Sequence, residues 1–413
     1  MTLERIPLRS LKVHCRDSSE MVTITNKIEC CGCSACVNIC KRNAIRMVQD
    51  KEGFLYPKAD ASLCNNCGLC EKVCPIMNKE VPKSLDLKKT YLIQHRKEDV
   101  LAESTSGGAF TAIAEYVISQ GGVVFGATFD SQFKVIHTSA QTSAELARFR
   151  NSKYVQSDLG DTFRQVRSLL AEGRRVCYSG TPCQIQGLRK YLMKDYENLI
   201  LVDVVCRAVP SPGVWQKYIA WEKAKGAISN VRFRDKALGY QYSTMKIQRC
   251  NGSFSRGGIE SQPWLRMFFS GMIIRPSCAS CKFRSPERIS DFTIWDCFNI
   301  YRLDRRFPED AGTTRMLVHT EKGLELLMKI RQELHIREIP FDVTVDGVRE
   351  MRESPVLHEN RAAFFRDNEK MEMGELLDKY FPVTWKVKLK RSVRFAMNRC
   401  GIDKTVKHLL RKG

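Results

Sequence analysis

Read for its apolar positions, the chain changes texture near residue 90. Beyond that point, short apolar runs alternate with stretches whose apolar residues recur at helical spacing. The pattern predicts strands at YLIQH, VVFGATFD, KVIHTSA, RRVCYS and LILVDVVC. Between them it predicts helices from STSGGAF to about Ser119, from about Leu159 to Ala171, after TPC, and from about Pro212 to Lys225. Strand and helix in alternation imply an α/β domain with some parallel sheet. After Gly226 the strands VRFRD and YSTMKIQ precede a helix at WLRMFF. The strands DFTIWD and TRMLVHT, the helix LELLMKIRQEL and the strand IREIPF then close the fold, and from about Asn360 the chain reads as peripheral helices. The predicted organisation is an N-terminal extension over 1–26, a compact module over 27–78, a polar linker KEVPKSLDLKK at 79–89, an α/β domain over 90–345, and C-terminal helices with a basic tail over 346–413.

The module is poor in apolar residues but rich in cysteine, and its cysteines repeat one phrase. ECCGCSACVNIC supplies Cys30, Cys33, Cys36 and Cys40, and LCNNCGLCEKVCP supplies Cys64, Cys67, Cys70 and Cys74, both spaced C-x2-C-x2-C-x3-C. In that run three close thiolates hold one cubane and the fourth cysteine ligates the other cluster. Cys30, Cys33, Cys36 and Cys74 are therefore expected to hold one 4Fe-4S cluster, and Cys64, Cys67, Cys70 and Cys40 a second, in an α+β ferredoxin-like module that needs its metal to fold. Zinc favours two C-x2-C pairs and has no use for the third step in each half. Disulfides fit less well still, because Cys30 and Cys31 are adjacent and no signal peptide pattern is present. Cys31 is surplus to the ligand count and reads as a small buried residue. Lys41 stands where the first phrase would carry the proline that Pro75 supplies to the second.

Composition narrows the class. The chain has 413 residues, 43% of them hydrophobic, and 18 cysteines, with no apolar run approaching the roughly 20 residues of a membrane helix. The expected address is cytoplasmic, where such cysteine usage points to metal or redox chemistry. The formal charge of +21 is concentrated in part at the end, where residues 384–413 hold ten Lys or Arg against Asp403 alone. A basic electron carrier usually meets an acidic partner, such as a ferredoxin or other redox protein, and charge steering makes that encounter salt-dependent. In the tail, Trp385, Leu389, Val393, Ala396 and Met397 share one helical face among cations. That face could meet the inner face of an anionic membrane, although a solvated helix docked on its own protein is the simpler expectation.

Two small-residue turns lead from strands into helices: STSGG from Ser104 to Gly108, and SGTPC from Ser179 to Cys183. A turn before a helix can present backbone N–H groups to a phosphate, but STSGG lacks dinucleotide-fingerprint spacing, and many helices simply start on Ser, Thr and Gly. Four further cysteines are placed like ligands: Cys183 at a helix start, Cys206 at the end of LILVDVVC, and the loop pair Cys278 and Cys281. Spacing leaves open whether they share one metal site at the edge of the sheet. Cys177 and Cys297 lie in strand patterns and Cys15, Cys250 and Cys400 are isolated, so all five read as structural.

The strings STSGGAFTAIAEYVI, SKYVQSD, SGTPCQIQGLRKYL, VDVVCRAVPSPGVWQKYI and SCASCKFRSPERISDFTI closely resemble the family of coenzyme F-420 hydrogenase/dehydrogenase beta subunits, over roughly Cys30 to Gly323. The resemblance implies ferredoxin-type clusters, bound FAD, and electron passage between a hydride carrier and one-electron centres, which makes the second domain an α/β flavin and iron-sulfur domain. It also implies a third 4Fe-4S cluster on Cys183, Cys206, Cys278 and Cys281, and a flavin pocket lined by Thr105, Ser106, Gly107, Gly108, Lys153, Tyr154, Gly180 and Thr181. Many bacterial members accompany surface-polysaccharide synthesis enzymes, which implies a modified sugar or its carrier as acceptor. This chain departs from the family pattern at Arg207 and Ala208, where a histidine is common, at Trp295 and Asn299, where glycines are common, and at Ala311, where a lysine precedes Gly312. Bulky groups at glycine positions can block a ring or diphosphate. The catalytic residues are not readable, and a flavin-less electron carrier or scaffold is the rival expectation. A nucleic-acid-binding iron-sulfur protein fits less well, because the basic tail lacks interleaved stacking aromatics.

Overall fold

The protein is described from a computed structural model over residues 26–80, 89–242, 244–298, 300–307 and 310–399. Most of the predicted linker, together with Cys15, Asn299, Cys400 and the end of the basic tail, lies outside these residues.

The N-terminal module pairs a hairpin, β1 (Ile45–Gln49) with β2 (Leu55–Ala59), and two short helices, Ala35–Ile39 and Leu69–Lys72. The main sheet then collects β3 (Lys89–His95), β4 (Val123–Phe129), β5 (Val135–Ala140), β6 (Val176–Gly180) and β7 (Leu199–Val204). A separate antiparallel sheet of β8 (Ile228–Asp235), β9 (Thr244–Arg249) and β10 (Phe254–Gly257) follows. The chain then returns to the main sheet with β11 (Phe292–Asp296), β12 (Thr314–Val318) and β13 (Leu334–Glu338). The order in the main sheet is β13-β3-β12-β11-β7-β6-β4-β5; β4, β6, β7 and β11 run parallel at its centre, and antiparallel strands close both sides.

The central strands read as continuous apolar runs because both of their faces are covered. Val124, Cys177 and Ile200 pack on one face with the helices Ala109–Ser119 and Glu321–Lys329. Val123, Val176 and Leu199 pack on the other with Thr162–Ala171 and Pro182–Leu192. That second core also contains Cys31, Cys33, Ala35, Ile39 and Val73 of the module, while Phe54 and Tyr56 join a third core around Trp215 and Trp264. The module thus offsets its shortage of apolar residues by borrowing the core of its neighbour. The seam carries polar ties as well: Arg164 Nε donates to Asn38 O at 2.8 Å, Gly213 N to Gly53 O at 3.1 Å, and Arg361 pairs with Glu52 at 2.7 Å. A Cβ on Gly53 would lie 2.5 Å from the Gly213 backbone, so the two chains cross on bare glycine.

The predicted strands and helices of the α/β domain are present, with local differences. Strand β10 and the helix Glu98–Glu103 ahead of STSGG carry no strong period of their own. The stretch LELLMKIRQEL is split, because the helix stops at Lys329, a 3-10 turn covers Arg331–Glu333, and Leu334 already belongs to β13. The tail helix Trp385–Arg399 is less docked than expected: Trp385, Leu389 and Val393 are 69%, 53% and 48% exposed, and it is tied down through Arg394, which pairs with Glu260 at 2.6 Å. Among the described residues no helix is long and apolar enough to cross a membrane.

Candidate redox site

The first cysteine set is gathered at the seam. Cys33 is buried and sits against the helix Pro182–Leu192 so closely that a Cβ on Gly187 would meet its Sγ at 2.9 Å. Burial raises the Cys36 thiol, and so do its neighbours Cys30, Cys74 and Cys70; burial likewise raises Cys30, with Cys74 adding to it. Cys30, Cys33, Cys36 and Cys74 are therefore electrostatic neighbours, and crowded buried thiols of this kind ionise readily only when a metal holds them. The crossing of Cys74 into the first set follows from the helix Leu69–Lys72 lying beside Ala35–Ile39.

The second set faces outward. Burial pushes Cys70 up to about 11, with Cys67 also acting on it, but Cys67 itself and Asn65, Asn66 and Gly68 around it are exposed. Asn66 and Gly68 hold φ of +55° and +69°, which turn the loop and let the Asn66 amide donate to Cys64 Sγ at 3.4 Å. Cys40 caps the neighbouring helix and accepts from Ala44 N at 3.3 Å.

The four scattered cysteines come together. Burial raises the thiol of Cys206 most, and Cys278, Cys183 and Cys281 all add to it; burial pushes Cys278 up to about 12, with Cys183 and Cys281 contributing. The topology explains the convergence: Cys183 follows β6, Cys206 follows β7, and the 3-10 turn Pro276–Ser280 brings Cys278 and Cys281 to the same C-terminal edge of the parallel strands. Cys281 N is fixed by Ser354 Oγ at 3.1 Å. Among the described residues no three His, Cys, Asp or Glu groups form a site for a single metal ion. Cys31, surplus to every set, is buried, and Cys183 of the third set and Cys33 of the first both act on its thiol. Cys177 is fully buried among apolar side chains, Cys297 is fully buried and accepts from Arg315 Nε at 3.4 Å, and Cys250 is exposed.

The remaining candidates divide between two places on the same edge. Gly180 ends β6, and Thr181 caps the helix Pro182–Leu192 with Gln184 while its Oγ1 lies 3.2 Å from Cys183 Sγ, so the SGT turn belongs beside the third set. STSGG lies at the end of β3, where Gly107 N donates to Thr314 Oγ1 at 2.9 Å and a Cβ on Gly107 would strike Ile93 O at 2.0 Å. Gly108, at φ +80°, starts the helix Ala109–Ser119 without a side-chain cap, which leaves its first amides suited to an anion. The Thr105 and Ser106 hydroxyls bond to Ser152 and Thr314. Lys153 Nζ donates to Arg148 O and Arg150 O; burial pushes this lysine down to about 7, with Arg232 adding to the effect. Tyr154 stacks among Phe233, Phe268 and Phe269 and accepts from Arg234.

Three cations alternate along β8 and just past it toward this turn. Arg232 pairs with Glu103, Arg234 with Asp296 at 2.8 Å, and Lys236 Nζ donates to Leu101 O, Ser106 O and Ala311 O. Burial also pushes Lys236 down to about 7, with Arg234 and Arg232 adding to it. The uncapped helix start and this surplus of positive charge suit a diphosphate, whereas the bound hydroxyls of Thr105 and Ser106 do not reach for one. The Trp295 ring packs against the cluster of Leu317, Val345 and Met351, whereas Asp296, next along the strand and so on the opposite face, turns toward Arg234 and Tyr240. Arg207, in the place of the family histidine, pairs with Glu350 and lies over Phe269.

Residues 173–343 match the family described as the C terminus of the coenzyme F420 hydrogenase/dehydrogenase beta chain, and residues 29–77 match the 4Fe-4S dicluster domain. The chain thus joins a 4Fe-4S dicluster domain to a region of the coenzyme F420 hydrogenase/dehydrogenase beta-subunit type. Among curated relatives, the coenzyme F420-dependent sulfite reductase of Methanocaldococcus jannaschii is 29% identical over 39% of this chain and 25% of its own length. A subunit of the F(420)H(2) dehydrogenase of Methanosarcina mazei is 23% identical over 42% of this chain and 51% of its own. The chain thus spans a quarter to about half of these relatives. A chain of the F420-reducing NiFe hydrogenase complex from Methanosarcina barkeri is similar at TM-score 0.43 and 13% identity, over 74% of this chain and 97% of that one.

Several residues around these candidate sites had no sequence signal. Arg234, Lys236, Asp296 and Thr314 meet STSGG only through strand register, and Arg275, Gln156 and Gly187 reach the cysteine sets only through packing. Alternation along VRFRDK, which points Arg232, Arg234 and Lys236 one way, is the one pattern that could have been read.

Proposed function

We propose that the protein is an iron-sulfur flavoprotein oxidoreductase that passes electrons between a two-electron hydride carrier and one-electron partners. The convergence of Cys183, Cys206, Cys278 and Cys281 beside the flavin-side turn supports this reading more than any other observation, because a plain two-cluster carrier has no use for it. In this reading Cys30, Cys33, Cys36 and Cys74 hold the first cubane, Cys64, Cys67, Cys70 and Cys40 the second, and the scattered four a third. FAD is held by the amides from Gly108 into the helix, by Lys153 and Lys236 through charge, by the Tyr154 ring, and by the SGT turn at Gly180 and Thr181. When bound, the flavin supplies the exchange between a hydride and single electrons, and the clusters supply one-electron relay. The protein's own share is placement. The third set lies against the flavin-side turn, the first is buried at the seam, and the second opens to solvent at Cys67, so the surface around Cys67 is where an acidic redox partner docks. The family likeness alone points to a surface-polysaccharide sugar or its carrier as the final acceptor.

The deciding measurement is iron, sulfide and flavin per chain after anaerobic purification, on wild type and Cys281→Ser. About twelve irons and one flavin, with about four irons lost in the variant, are expected; about eight irons, no flavin and no change in the variant would instead leave a two-cluster carrier. The tail helix adds peripheral attachment to an anionic membrane, supported by the uncovered row Trp385, Leu389 and Val393 among cations. Cosedimentation with phosphatidylserine vesicles, weakened by salt and by Trp385→Ser, tests it; equal recovery with neutral vesicles would remove it.

A further inference from the structure

Arg275 is the most enclosed arginine among the described residues, and its side chain lies between the first and third cysteine sets. It is fully buried. Its Nε donates to Cys30 O at 2.8 Å, Nη1 to Gln156 Oε1 at 2.9 Å and Nη2 to Leu55 O at 3.1 Å, and its guanidinium lies 4.2 Å from the Tyr56 ring centroid. Gln156 in turn donates to Cys31 O at 3.0 Å. Glycine at position 32 makes room, since a Cβ there would stand 2.9 Å from Arg275 Nη1. On its own side of the seam Arg275 begins the turn that carries Cys278, whose N donates to Arg275 O at 3.0 Å.

All three acceptors are neutral carbonyls, and among the described residues no carboxylate pairs with this guanidinium. A buried cation without a counter-ion is strongly unfavourable. Cysteines of both sets lie within reach of its charge, Cys30 of the first and Cys183 and Cys278 of the third. A cubane held by four thiolates is itself anionic, and its potential follows net charge and local environment.

We propose that Arg275 is the shared counter-ion of the first and third clusters, a positioning residue that raises the reduction potential of both relative to the second and fixes the seam between them. For the third cluster this rests on the function proposed above; for the first it rests on the ferredoxin phrase alone. A positive charge favours the reduced, more negative form of each neighbouring cluster, so its removal makes both harder to reduce.

The test is an EPR-monitored redox titration of the anaerobic full-length protein, with iron counted in every sample. In Arg275→Gln the first and third signals are expected to move negative, each by about a tenfold change in the one-electron equilibrium, about 59 mV, while the second stays. Arg275→Lys should move them less. If Arg275→Gln loses iron, the nearly isosteric Gln156→Glu carries the decision, because a carboxylate against the guanidinium should shift the same two signals negative. Full iron with unmoved first-set potentials in these variants, or an equal shift of the second set, would overturn the proposal. A wild type holding only about eight irons would remove the third cluster but leave the first-set shift to decide the role of Arg275.

Discussion

The two ferredoxin phrases have the same spacing and opposite surroundings. Cys33 is buried in a core shared with the α/β domain, with Gly187 pressed against its sulfur and Arg275 behind the Cys30 carbonyl. Cys67, its counterpart in the second phrase, stands on an exposed loop with Asn65, Asn66 and Gly68. Spacing specifies which thiolates can share a cluster. Whether that cluster becomes an interior relay or a surface contact is set by what the rest of the chain packs against it.

Breaking one cysteine in each phrase should separate the two roles most clearly. Cys67→Ser and Cys33→Ser should each lose about four irons, but their effects on the rest of the molecule should differ. Cys33→Ser also loosens the shared core and should cost about 2–4 kcal/mol of stability, against less than about 1 kcal/mol for the α/β domain in Cys67→Ser. Anaerobic thermal unfolding followed by the near-ultraviolet signal of the buried Trp215 and Trp264 checks this, and equal losses would show that the seam does not depend on the first set.

A smaller effect sharpens the same contrast without touching a ligand. A Cβ on Gly187 would lie 2.8 Å from Cys33 Cβ, whereas Gly68, at φ +69°, has open space around it. Gly187→Ala should therefore cost about 1–3 kcal/mol by overpacking and broaden the first-set EPR signal. Gly68→Ala should cost only about 1 kcal/mol, from its backbone conformation, and leave that signal sharp. Denaturant midpoints together with the EPR line shape distinguish the two, and an unaltered first-set signal in Gly187→Ala would refute the close contact.

These contrasts also mark what a reader of the sequence could reach. Cysteines three or four residues apart are a local pattern, and so are the apolar runs of β4, β6 and β7, whose continuity follows from burial on both faces. The third cysteine set was visible as candidates but not as a site, because Cys183, Cys206, Cys278 and Cys281 meet only once two strands lie parallel and a 3-10 turn folds over their ends. Arg275 and Gln156 resemble any other polar residues in the chain, since their roles exist only across the seam. The direction of Trp295 turns on a single alternation, because neighbouring residues in a strand face opposite ways and Asp296, not the indole, meets Arg234.

The shared seam also sets a schedule for biosynthesis. During translation the cysteines of both ferredoxin phrases emerge well before Gly187, Arg275 and Cys281, so the usual N-terminal-first order of domain folding cannot finish the first domain here. Until the later residues arrive, the first cysteine set lacks the Gly187 wall, the Arg275 guanidinium and the core it shares. Maturation factors that deliver iron and sulfide therefore meet either an open, solvent-exposed nascent module or a nearly complete protein. A chain truncated before Cys281 should accumulate as the first of these and reach proteases before it reaches a partner.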